Sequence, residues 1–251
     1  MLMRATLGVV TGALALSALA VPVARADGIE GDTKITRVVV DGDNQVQVGA
    51  TAKRFKVTVT ATDNSGIQDA DESIDLYGPN DGVLISDKPV CTVVSATTST
   101  CTAWVTVDPK LDLFNNNAGA WYVDAWINAK DGDYIWKEKA LLFKFQRATK
   151  LTANASPEPV RKGKPISVTG RHTRVNWENG SYYNYGSQYV TLQYKRAGAT
   201  TWTNVKTIKG TTTGYLNAST TATYDGYYRF LYSGISVSGP TVSAADYIDV
   251  Q

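Results

Sequence analysis

Residues 54–60 read RFKVTVT, with Phe55, Val57 and Val59 alternating with polar neighbours. A period of two suits a strand that buries one face, because successive side chains of a strand point to opposite sides. The same rhythm recurs in WYVDAWI (121–127), LLFKF (141–145), PISVT (165–169) and YVTLQYK (189–195). In the last of these Val190, Leu192 and Tyr194 form the expected core face, with Tyr189, Thr191, Gln193 and Lys195 on the other. Asp131-Gly132, Asn179-Gly180 and Asp225-Gly226 supply turn signals. After residue 26 no stretch has an amphipathic helical period. Many short strands joined by turns predict an all-β chain built as a sandwich or barrel.

A faint internal repeat points to two copies of one plan. VQVGATAKRFKVTVTATD, from Val46, parallels EPVRKGKPISVTGRHTR, from Glu158. Each has a Val, a Gly soon after, basic residues and then an alternating strand. The expected division is residues 1–26 as signal peptide, 27–147 as a first sandwich and 148–251 as a second. Almost no linker separates Phe145 from the next strand start, so the tandem should be semi-rigid.

The signal peptide is read from Arg4, the apolar run Leu7–Val23 and the small-residue site Ala24-Arg25-Ala26, with Asp27 the new N-terminus. An uncleaved anchor is the competing reading. The run is slightly short for a span and contains Pro22, and no later segment is apolar enough to cross a membrane. The expected localisation is secreted, extracellular. Loss of Arg4 and Arg25 leaves 23 basic against 23 acidic side chains. Residues 27–147 hold 12 basic and 18 acidic groups, and residues 148–251 hold 11 and 5. Such asymmetry could draw the halves together, draw the second toward an anionic polymer, or serve solubility alone. Cys91 and Cys101 are expected to pair as a structural disulfide, since export and an even count favour it.

The second half resembles the bacterial immunoglobulin-like modules of secreted actinobacterial proteins. The resemblance rests on VTLQYKRAGATTWTNVKTI (190–208) and on DGYYRFLYSG (225–234). It implies that Tyr228 is the corner tyrosine and that Phe230 stands where antibody domains have a Cys. The first half resembles the class more loosely, through VTVTATDNSGI (57–67) and AWYVDAWINAKDGD (120–133). The implied fold is two tandem immunoglobulin-like β-sandwich domains. This fold hosts many unrelated binding roles, and some members carry a calcium-binding label.

Nucleophilic hydrolysis wants Ser or Cys beside a His base. The chain has one His, His172, and GISVSG (234–239) is not G-x-S-x-G. The chain is therefore expected not to be an enzyme. Calcium takes oxygen ligands from flexible loops, and DNSGIQDADE (63–72) offers Asp63, Asp69, Asp71 and Glu72. Its spacing is not an EF-hand, and Asp and Asn are also ordinary turn residues. No other cofactor is implied.

Eleven of the fourteen Tyr lie after residue 147. NWENGSYYNYGSQYV (176–190) has turn composition, so Trp177, Tyr182, Tyr183 and Tyr185 are expected at least partly exposed. With Arg171 and Arg174 they form the candidate ligand surface, the alternative being the packed edge of a sandwich. The expected function is non-enzymatic binding or adhesion, to a cell-wall polymer, a glycan or an exported protein. The alternative is a calcium-binding or purely structural module. Nucleic acid is not expected as a partner, because the mature chain is neutral and exported.

Overall fold

The computed structural model describes residues 27–251, so the expected signal peptide lies outside the described residues. Up to Arg147 the chain forms β1 (Gly28–Glu30), β2 (Lys34–Val40), β3 (Gln45–Val48), β4 (Lys53–Thr62), β5 (Ile67–Ala70), β6 (Asp75–Gly78), β7 (Gly82–Ile85), β8 (Val90–Ser95), β9 (Thr98–Val107), the one-turn helix α1 (Pro109–Asp112), β10 (Gly119–Ala129) and β11 (Tyr134–Arg147). Then come β12 (Thr149–Leu151), β13 (Asn154–Ser156), β14 (Pro165–Val175), β15 (Tyr182–Asn184), β16 (Tyr189–Arg196), β17 (Thr203–Lys209), β18 (Tyr215–Thr221), β19 (Gly226–Tyr232), β20 (Thr241–Val242) and β21 (Asp246–Ile248). Every segment expected to be a strand lies in one.

The protein is all-β, an arrangement of two sandwiches. In the first, the sheet β1-β11-β10-β6-β7, with β3 beside β11 and β5 beside β10, packs on the sheet β2-β4-β9-β8. Alternation does the work. On β4, Phe55, Val57 and Val59 point inward, and on β10 Trp121, Val123, Ala125 and Ile127 meet them. Trp121 lies flat over the β6–β7 hairpin because Gly78 leaves room; a Cβ there would sit 2.1 Å from the indole. In the second, β14 with β12, β13, β15 and β18 packs on β16, β17, β19, β20 and β21 around Val168, Leu192, Leu216 and Phe230.

The faint repeat has a structural counterpart. β3 runs parallel to β11, with Val46 opposite Phe145. Val160 makes a parallel bridge to Val250, near the end of its own sandwich. In both copies a short segment pairs in parallel with the end of its sandwich, turns, and enters a long central strand.

Two local expectations are corrected, while the face assigned on β16 holds. Val190 and Leu192 are core and Tyr194 packs partly buried against them. Gln193 stays on the outer face opposite Arg229, where its bonds to Asn204 and Arg229 cover it. Gly226 is not a turn residue but the first of β19, pressed against the Lys195 carbonyl. Tyr228 and Phe230 are core, as the resemblance implied. The hydroxyl that grips the chain ahead of β19, however, belongs to Tyr194, which donates to the carbonyls of Tyr224 and Asp225.

Candidate functional site

The Asn176–Val190 stretch is mainly a clamp between the sandwiches. The turn between β14 and β15 reaches the first sandwich, helped by Gly180 at φ +70°. Trp177, expected at least partly exposed, is fully buried in the first core, edge-on to Phe145, which fits the alternative of a packed residue. Its indole Nε1 donates to the Val48 carbonyl at 3.0 Å. The physical reason is that the rim of the first core offers an apolar slot and a carbonyl to an indole delivered from outside. Asn115 ties the same turn down, bonding Asn176, Trp177 and Glu178. Tyr182 is partly buried against the first core with Lys150 over its ring. Tyr185 packs on His172 and Tyr232 beneath Arg174. Only Tyr183 and Arg171 of the six expected ligand residues are well exposed.

The remaining candidate for hydrolysis is also structural. His172 is fully buried and neither ring nitrogen has a hydrogen-bond partner. Burial, and then the charge of Arg174, hold it down to about 4. GISVSG becomes a second seam. Gln146 donates to the Ile235 carbonyl, Arg147 N to Val237, and Gly239 N to Arg147. The buried Ser238 receives a bond from Arg174 and donates to Tyr185.

Exposed aromatics of the second sandwich gather instead on the outer face of β16 and β19. Lys195 stands opposite Tyr227, and Tyr227 opposite Tyr247. The Lys195 Nζ lies 5.2 Å from the Trp202 ring and 5.3 Å from Tyr227, while the Arg229 guanidinium stacks on Trp202 at 3.9 Å. Next to this row, Lys162, Arg196 and Tyr224 line a cleft of about 330 Å³ with Asp225, the arginine 4.1 Å over the tyrosine. The alternation of YVTLQYK assigned Lys195 to this outer face, and the outward positions of β19, Tyr227, Arg229 and Leu231, complete it.

The four expected calcium ligands do not come together as a set. Glu72 pairs with Lys88, and Asp69 accepts from Asn128. Asp63 converges instead with Asp32 and Asp133, their carboxylate oxygens within 4.8 Å of one another. Chain topology brings these three loops to one end of the sandwich. Asp63 is buried and accepts from Ser65 and Thr33. Burial alone would raise its pKa; the hydrogen bonds outweigh it and hold the carboxyl below its usual range.

A third site went unsignalled. Asp71, Ser73, Asp75, Tyr77, Asp124, Trp126 and Trp136 line a cleft of about 350 Å³ on the outer face of the seven-stranded sheet. Tyr122, Asp124 and Trp126 are the outward positions of WYVDAWI, legible from its alternation once the inward set was assigned.

No protein-family model matches the chain, and no curated protein does. Among solved structures the chain is similar to latent PorU from Porphyromonas gingivalis, at 12% identity and TM-score 0.30, over 87% of this chain. It spans 20% of PorU's length. It is also similar to the D0-D1 domain of intimin, at 16% identity and TM-score 0.27, over 85% of this chain and 98% of that one. The human OSCAR ligand-binding domain matches at 12% and 0.27, over 84% and 95%. At these TM-scores none of them bears on what this chain does.

Proposed function

We propose that the protein is an exported, non-enzymatic binding module of two domains, 27–147 and 148–251, that attaches to an anionic polymer of the cell envelope through its second domain. The observation that carries this is the row of Tyr247, Tyr227 and Lys195, with Trp202 and Arg229 beside it. Rings with cations against them suit a glycan that bears negative charge, because rings stack on sugar faces while ammonium and guanidinium groups meet the anions. The surplus of 11 basic over 5 acidic groups in this half adds long-range attraction.

Co-sedimentation with insoluble cell wall, and with dextran sulfate against neutral dextran, tests the proposal. Retention on the anionic polymers that falls with salt and is lost in Lys195→Ala/Tyr227→Ala/Arg229→Ala is the expected result. Equal retention of wild type and variant would overturn it. Calcium is the second reading, favoured by the convergence of Asp32, Asp63 and Asp133. It predicts a melting temperature that rises with millimolar calcium, since binding to the native state must stabilise it; an unmoved melting temperature rejects it.

A further inference from the structure

The cleft on the first sandwich has a chemistry opposite to that of the surface just proposed. Asp75 on β6 stands directly across from Asp124 on β10. Like charges directly opposite on one sheet face repel and cost stability. Asp71 lines the same cleft, and none of its lining residues is basic. The nearby Lys88 is bonded to Glu72 at 2.7 Å, and Lys139 lies over the Tyr122 ring.

The donors of the cleft are committed. Ser73 Oγ donates to Asp75 at 2.7 Å and the Tyr77 hydroxyl to the same carboxylate. The Trp136 indole donates to Asp124 at 2.6 Å, and that of Trp126 to Asn128 at 2.8 Å. A guest therefore meets acceptors and ring surface. A neutral sugar, whose hydroxyls need donors as well as acceptors, fits such a lining poorly. An ammonium group has donors only.

The aromatic walls are held in place. Trp126 stacks on Tyr134 at 5.0 Å and on Trp136 at 6.3 Å, and Tyr77 stacks on Tyr122 at 5.5 Å. Burial first, and then the charges of Asp75 and Asp124, push the Tyr77 phenol up, as a negative field in the cleft requires. The carboxylates are also spread too widely to wrap a bare metal ion. Among the described residues only Asp32, Asp63 and Asp133 converge closely enough for that.

We propose that this cleft binds an organic ammonium ion, with Asp75, Asp124 and Asp71 meeting the charge and Tyr77, Trp126 and Trp136 meeting the carbon groups around it. Cations over desolvated rings gain free energy from the ring quadrupole, and a cleft of this size suits a small head group. The guest could be a free amine or a lysine side chain of a partner, and the two share this chemistry.

Titrating the protein while following tryptophan fluorescence tests this. The probes are n-butylammonium chloride, tetralysine, N-acetylglucosamine and calcium chloride. Saturable quenching by n-butylammonium or tetralysine, weakened at least tenfold in Asp75→Asn and in Trp136→Phe, is the expected result. n-Butylammonium alone would identify a free amine, and tetralysine alone a protein side chain. Asp75→Asn also removes the like-charge pair, so its melting temperature should hold or rise while binding falls, which a merely damaged fold would not do. Absence of saturation by both ammonium probes would overturn the proposal. So would a response confined to the sugar or to calcium, or binding undiminished in both variants. None of these outcomes depends on the polymer surface of the second domain.

Discussion

His172 is neutral because nothing in its surroundings welcomes a proton. Its ring lies 4.5 Å from that of Tyr232 and 5.0 Å from that of Tyr185, with no acceptor on either nitrogen. In the unfolded chain a histidine titrates near 6.5; in the fold it is held down to about 4. Between those values the unfolded state binds the extra proton, so stability falls as pH drops from about 6.5 toward 4 and is insensitive to this group above that window. Denaturation midpoints measured from pH 8 to pH 4 should show that decline. In His172→Phe the part of the slope between pH 6.5 and 4 should be reduced. An unchanged slope would show that other groups carry it. Asp63 acts in a lower window. Its depressed carboxyl stabilises the fold above the ordinary carboxylate range, and that contribution is lost only as pH falls through its folded value.

The β8–β9 hairpin shows how an element is secured where packing is thin. β8 is an edge strand with Val90, Val93 and Val94 exposed, so few apolar contacts hold it. Cys91 stands directly across from Cys101, and the disulfide between them closes a separation of ten residues. A loop that short gives a chain-entropy gain of somewhat under ~3 kcal/mol. Cys91→Ser/Cys101→Ala should lower the unfolding free energy in urea by no more than about that amount and leave the circular dichroism spectrum unchanged. A larger loss would mean that the bridge also holds native packing. The bridge and the long strands were legible in the sequence, because cysteine count and period two are local signals. What the cleft of Asp75, Asp124 and Trp136 depends on is not local. The register that sets Asp75 across from Asp124 joins residues 49 apart in sequence. Sequence reasoning read WYVDAWI as an alternating strand without assigning its faces, so its outward Tyr122, Asp124 and Trp126 went unused. The burial of Gln193 on the outer face of β16 depends likewise on Asn204 and Arg229 of the neighbouring strands, and no property of YVTLQYK announces it.

At the scale of the whole molecule the two sandwiches are joined by more than the chain at Ala148. Trp177 carries the second sandwich's hairpin into the first core, and the turn at 234–239 closes on Gln146, Arg147 and Thr149. The same composition that made Asn176–Val190 look like an exposed patch suits a loop that must leave one sandwich and dock on another. The burial of Trp177 could not be read from its neighbours in sequence because its partners, Val48 and Phe145, belong to the other core. Its removal should therefore act twice. Trp177→Ala empties a space in the first core and should cost about 3–5 kcal/mol of stability. It also removes the indole bond to Val48 that helps the two cores unfold together. Calorimetry should then show one transition in the native protein and two in the variant, the lower belonging to the first sandwich. The surplus of six acids in one half and six bases in the other still attracts across the loosened seam. Salt screens such attraction beyond roughly 10 Å at 0.1 M. The gap between the two transitions should accordingly widen as salt rises from low to physiological strength. A single transition in Trp177→Ala at every salt concentration would show that the 234–239 seam alone suffices to couple the sandwiches.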